Sequence, residues 1–119
     1  RSDIDMTVAP IRNPTFVTLS DGTIRNTYDV RLRNKHGEVR PFLLTLGQQA
    51  TADLAIENRA DNVVEVPADT QERVRVYVTA PPGSELSADD HTKIRLWVED
   101  TDSGERAHVD TTFNGRENQ

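Results

Sequence analysis

From Ile24 to Arg33 the side chains alternate. Ile24, Tyr28, Val30 and Leu32 fall on one face, and Arg25, Thr27, Asp29, Arg31 and Arg33 on the other. A period of two puts successive side chains on opposite faces of a pleated strand, so this stretch cannot bury a helical stripe. Just upstream, Phe16-Val17-Thr18-Leu19-Ser20 runs into Asp21-Gly22 and then Thr23-Ile24. Asp-Gly between two β-prone runs predicts a hairpin with both turn residues at positive φ.

The same alternation recurs downstream. Arg40 to Leu46 places Phe42, Leu44 and Leu46 inward, and Ala52–Glu57 and Val63–Val66 read as two short strands. Glu72 to Thr79 sets Val74, Val76 and Val78 against Arg73, Arg75 and Tyr77. Thr92 to Glu99 sets Ile94, Leu96 and Val98 against Lys93, Arg95 and Trp97, and Arg106 to Phe113 closes the series. Turn signals such as Asn34-Lys35-His36-Gly37, Pro81-Pro82-Gly83 and Thr101-Asp102-Ser103-Gly104 separate the strands, and only Leu86–Asp90 suits a helical turn. Seven to eight short antiparallel strands at this spacing predict an all-β, immunoglobulin-like β-sandwich. A chain of 119 residues holds one such core, so residues 1–119 form a single domain, with 1–3 and 114–119 expected as flexible ends. The start at Arg1 rather than Met is expected of a segment cut from a longer protein.

Composition excludes several classes of function. A net charge of −6 disfavours nucleic acid, which requires a basic surface. The absence of Cys removes thiolate metal sites, iron–sulfur clusters held in this segment and cysteine nucleophiles. No apolar run approaches the ~20 residues of a membrane helix, so direct membrane insertion is not expected. No Gly-x-Ser-x-Gly elbow occurs, and the acidic pairs Asp89-Asp90 and Asp100-Asp102 lie in turns. No catalytic residue is assigned, and the domain is read as a non-enzyme.

The run Arg12-Asn13-Pro14, Leu19-Ser20-Asp21-Gly22, Ile24-Arg25-Asn26, Tyr28 and Asn34-Lys35 resembles the C-terminal domain of the FixG/CcoG family, the bacterial cytochrome c oxidase accessory proteins. The likeness continues through Val74-Arg75-Val76-Tyr77-Val78 to Phe113-Asn114-Gly115. The resemblance implies a parent protein of the bacterial inner membrane with several membrane helices. It also implies a cytoplasmic ferredoxin-like segment whose Cys-x-x-Cys runs hold iron–sulfur clusters. Such a parent serves assembly of cbb-type cytochrome oxidase and reduction of cupric to cuprous ion. Its C-terminal domain is immunoglobulin-like and lies on the periplasmic face. Partners are then the rest of the parent and oxidase-assembly or copper-delivery proteins. This domain itself carries no cofactor, the clusters being held elsewhere in the parent.

Within this chain the resemblance rests on Asn13, Pro14, Asp21, Gly22, Asn26 and Tyr28, all of which also have structural readings. Asn26 interrupts an apolar face, and a buried amide there bonds to loop backbone, for example around Arg12–Pro14. Tyr28 fills core while its hydroxyl finds an acceptor. Three roles remain open. Outward Leu43, Trp97 and His108 on neighbouring strands form a candidate docking surface, since Trp is enriched at interface hot spots; the alternatives are a Trp97 covered by a loop or by long side chains, and an alternation out of register there. His108, Met6 and His36 are candidate copper ligands, because imidazole and thioether suit Cu(I). Calcium at Asp100, Asp102 and Glu105 is weighed against a solvated turn, and the turn is preferred. The outward arginines Arg25, Arg31, Arg33, Arg73 and Arg75 either face anionic lipid or pair with Asp29, Asp53 and Glu57, and pairing is favoured. The third role is a spacer with no partner.

Overall fold

The computed structural model describes residues 3–12, 14–47 and 52–115. Asn13 lies outside the described residues. Among the described residues the alternating segments form nine strands: β1 (Ile4–Pro10), β2 (Val17–Thr18), β3 (Ile24–Asn34), β4 (Arg40–Leu46), β5 (Asp53–Ile56), β6 (Val63–Val66), β7 (Thr70–Ala80), β8 (His91–Asp100) and β9 (Arg106–Asn114). One helical turn, α1 (Glu85–Ala88), stands between β7 and β8, started by Ser84, whose side chain accepts from the Ser87 amide. Two antiparallel sheets result. In one the order is β1-β3-β7-β5, with β2 also paired to β3; in the other it is β6-β4-β8-β9. This is the sandwich the alternation predicts. Residues pointing between the sheets bury almost completely: Tyr28, Val30 and Leu32 of β3, Val76 and Val78 of β7, Phe42 and Leu44 of β4, Leu96 and Val98 of β8. Each large apolar side chain so buried contributes on the order of 2 kcal/mol.

Three details differ from the sequence reading. The first is β1, which sequence alone leaves as a lead-in. It pairs with β3 along its whole length, from Ile4 opposite Asn34 to Pro10 opposite Tyr28, and buries Ile4 and Met6. The second is the Asp21-Gly22 turn. Gly22 alone takes a positive φ, 94°. Its amide donates to the Leu19 carbonyl at 3.0 Å, and the Leu19 amide donates to Thr23 at 2.7 Å. The loop is therefore a three-residue hairpin with a glycine bulge, and Asp21 fastens it by accepting from the Thr23 amide at 2.9 Å. The third is the ends. The Asp3 amide donates to Glu105 Oε2 at 2.8 Å, and the Lys35 amide donates to the Asp3 carbonyl at 2.9 Å. At the other terminus Asn114 belongs to β9, and buried Gly115 donates to the Asp90 carbonyl at 3.2 Å. Asp3, Asn114 and Gly115 are thus bound parts of the fold, not flexible ends.

Candidate functional site

The outer face of the β6-β4-β8-β9 sheet carries the aromatic feature. Trp97 pairs across the ladder with Thr45 on β4 and with His108 on β9, while Leu43 pairs with Glu99 one step along. The predicted neighbours therefore share one face. Trp97 is half-buried rather than bare. The His108 ring lies 4.7 Å from its own, centroid to centroid, at 53°. The Arg106 guanidinium sits 4.2 Å over it, and Arg95 stands 5.9 Å away. Gly47 donates to the Arg95 carbonyl at 2.7 Å, and a methyl group there would approach Trp97 Nε1 to 3.6 Å. A forked pair, Arg95 with Asp110 at 2.8 and 3.3 Å, borders the stack. The covering of Trp97 by long side chains is what the structure contains. The face is an amphipathic plate of aromatic, cationic and aliphatic groups, the composition of a docking surface's centre and rim.

The opposite outer face holds the arginines, and of the expected pairs with Asp29, Asp53 and Glu57 the structure contains the one between Arg73 and Asp29. Arg73 grips Asp29 with Nε at 3.0 Å and Nη2 at 2.7 Å. That fork holds the Asp29 carboxyl below the usual range. Arg33 reaches Asp69 at 3.8 Å. Arg25 stacks 4.7 Å over Tyr77, whose hydroxyl donates to Glu57 at 2.9 Å.

A third group lies at one end of the sandwich, where the end of β3 meets the β8–β9 turn. Asp100, the last residue of β8, is fully buried. Burial alone would push its carboxyl up. Hydrogen bonds from Ser103 and Asp102, and the charge of Arg40, outweigh that and hold it below the ordinary range. Arg40 Nη1 donates to Asp100 Oδ2 at 2.9 Å and Nη2 to Glu38 at 2.7 Å. Beside them stands His36. Its Nε2 is 3.4 Å from Asp100 Oδ2 and 3.5 Å from Glu105 Oε1. That nitrogen is buried and makes no hydrogen bond. His36 is fixed by fully buried Asn34, whose Oδ1 accepts from the His36 amide at 2.9 Å. The Asn34 amide group donates to the carbonyls of Glu38 and Val66 at 2.9 and 3.0 Å. Asp3, His36 and Glu105 each bring a ligand-type atom to within 4.8 Å of the others.

The copper assignment does not survive this geometry. Met6 is in the core, 7% exposed, between the sheets. His108 is on the outer face against Trp97, and His36 is at the sandwich end. The cause is strand parity: Met6 shares the inward register of Ile4, while His108 has the outward register of its strand. The three cannot share an ion. Asp102 enters the turn through its backbone amide, which donates to Asp100 Oδ1 at 2.9 Å. Asp100 and Glu105 of the calcium trio do come close to His36. Sequence reasoning missed Asp3, Asn34 and Arg40, which complete this group. The burial of Asn34, at an inward register of β3, was a readable signal; the position of Asp3 follows from β1, which was not.

The motif residues serve the frame. Asn26 is buried and bridges the sheets: its Nδ2 donates to the Asn114 carbonyl and its Oδ1 accepts from the Asn114 amide, both at 2.8 Å. Its partner is β9, not the loop at Arg12–Pro14. The Tyr28 hydroxyl donates to the Thr112 carbonyl at 2.7 Å. Burial raises its pKa far above the usual phenol value. Pro14 lies on the surface, beside a 230 Å³ hollow that it lines with Phe16, Arg25 and Tyr77.

Residues 1–116 match the family described as "IG-like fold at C-terminal of FixG, putative oxidoreductase". The chain belongs to this FixG C-terminal domain family. The FixG domain is 51% identical over 118 residues to protein RdxB and 42% identical to protein RdxA, both of Cereibacter sphaeroides. It is 32% identical over 119 residues to the nitrogen fixation protein FixG of Rhizobium meliloti. These alignments take in 96–99% of the chain but only 22–25% of each relative, so it spans about a quarter of their length. A crystal structure of a FixG-related protein from Vibrio parahaemolyticus superposes with a TM-score of 0.81, covering 98% of this chain and 99% of that one. At 17% identity that likeness concerns the fold alone. The FixG domain is thus the C-terminal, immunoglobulin-like part of a FixG-type protein.

Proposed function

We propose that this domain is a non-catalytic docking module on the periplasmic face of a membrane-bound iron–sulfur oxidoreductase, where it serves cytochrome oxidase assembly and copper reduction. The observation that carries the reading is the plate formed by Trp97, Arg106, His108 and Leu43 on one rigid sheet. A ladder-paired sheet holds these side chains in place before any partner arrives, which lowers the ordering cost of binding. Trp and Arg are the residue types most enriched at interface hot spots. The partner is read as an oxidase-assembly or copper-delivery protein with a carboxylate-bearing, partly apolar surface, complementary to Arg106 and Arg95. The iron–sulfur clusters belong to other parts of the parent, and the domain supplies position rather than electrons.

The test is photo-crosslinking within the full parent protein in its own membrane. A photoreactive residue at position 43 or 108 is expected to label an oxidase-assembly or copper-delivery protein, and one at position 31, on the opposite sheet, is not. Equal labelling from both faces, or labelling only from position 31, would remove Trp97's face from the proposal.

A further inference from the structure

The group at the end of the sandwich supports a role separate from docking. His36 Nε2 is a buried polar atom with no hydrogen bond, yet two carboxylate oxygens face it at 3.4 and 3.5 Å. Buried nitrogens without a hydrogen bond are rare and call for an explanation. The 3.5 Å separation from Glu105 has the length of a coordination edge: metal bonds of ~2.0–2.2 Å to imidazole nitrogen and carboxylate oxygen place neighbouring ligand atoms ~3.3–3.5 Å apart. The atoms offered by Asp3, His36 and Glu105 all lie within 4.8 Å of one another.

We propose that His36, Glu105 and Asp3 form a binding site for one divalent transition ion of the zinc and cobalt class, with Asp100 and Arg40 as its supporting layer. One imidazole and two carboxylates form a borderline-to-hard donor set of the kind Zn²⁺ and Co²⁺ accept. The surroundings already hold Glu105 and His36 in place, as metal sites require of their ligands. The Asp3 amide holds Glu105 Oε2 at 2.8 Å, with the other oxygen, Oε1, 3.5 Å from His36. Asn34 fixes the His36 backbone at 2.9 Å. The Asp100 amide donates to the Glu105 carbonyl at 2.8 Å, and Arg40 secures the Asp100 carboxylate at 2.9 Å. Asp3 and His36 flank strands of one sheet, whereas Glu105 precedes a strand of the other. A bound ion therefore ties the two sheets together, and because it binds the folded chain it stabilises it by mass action.

The experiment uses the tag-free chain. Zn²⁺ is titrated by calorimetry, and Co²⁺ by its visible absorption, which reports coordination. The expected result is saturation at one ion per chain and a melting temperature that rises with Zn²⁺. His36→Gln and Glu105→Gln each weaken binding by about tenfold or more. His91→Ala and His108→Ala leave it unchanged. Circular dichroism shows that each variant is folded. Should His36→Gln fail to fold, Co²⁺-induced paramagnetic shifts of the His36 ring protons in the wild-type chain decide the matter. Absence of saturable binding, affinity retained in folded His36→Gln, absence of those shifts, or affinity lost in His108→Ala would each overturn the site. None of these readouts involves a docking partner, so this site and the docking surface stand or fall separately.

Discussion

The charged residues of this domain are organised around carboxylates held below their ordinary range. At Asp29 the fork of Arg73 is the main cause, at Asp110 that of Arg95. At Asp100 hydrogen bonds and Arg40 overcome burial. A carboxylate depressed in the folded state contributes stability that is complete above its unfolded value of ~4 and disappears as pH falls through the folded value. The domain is therefore expected to lose stability on the acid side of about pH 4, with little change from there to neutrality. Asp100→Asn leaves partly buried Arg40 with a weaker partner, and breaking such a pair costs up to about 3 kcal/mol. Urea unfolding at neutral pH measures that loss, and the variant's acid limb should be shallower than the wild type's. An unchanged midpoint would mean that Arg40 and Asp100 do not interact as a pair.

Strands show where sequence pattern suffices and where it stops. Long strands such as β3, β7 and β8 were legible because one face packs on a core and the other meets water, so alternation survives in the residues themselves. Asn26 was legible as a buried amide, but its partner was not, because the bond to Asn114 spans 88 residues of chain. β1 escaped although Ile4 and Met6 alternate with Asp5 and Thr7, because the alternation stops after four residues at Val8-Ala9-Pro10 and no turn cluster precedes it. Missing β1 also hid Asp3, one member of the His36 group. The outward Trp97 was placed correctly by parity; its cover of Arg106 and His108 depends on rotamers that parity does not encode. The β9–α1 junction offers a test at this scale. A methyl group on Gly115 would lie 2.8 Å from the Asp89 carbonyl oxygen and 3.0 Å from that of Ser87, both rigid backbone. Gly115→Ala should therefore destabilise the domain by about 1–3 kcal/mol, as overpacking does, measured by thermal or urea unfolding. A neutral effect would mean that α1 yields freely and that the junction is not a fixed part of the frame.

The whole molecule is a frame with different surfaces in different places. Its two sheets are fastened by Asn26 and Tyr28 through the core and by the hydrogen bond from Asp3 to Glu105 at one end. One outer face carries arginines, of which Arg73 and Arg33 reach carboxylates, while the other presents Trp97 between cationic and aliphatic neighbours. That asymmetry is the feature on which the proposed docking role rests. The decisive measurement replaces Trp97 and Arg106 together by Ala in the full parent protein and follows two quantities. One is cupric-ion reduction by the purified parent; the other is the amount of assembled cytochrome oxidase in cells. The proposed docking role entails unchanged reduction and oxidase assembly lowered several-fold. Reduction lost in a folded variant, or assembly left at the wild-type level, would contradict it.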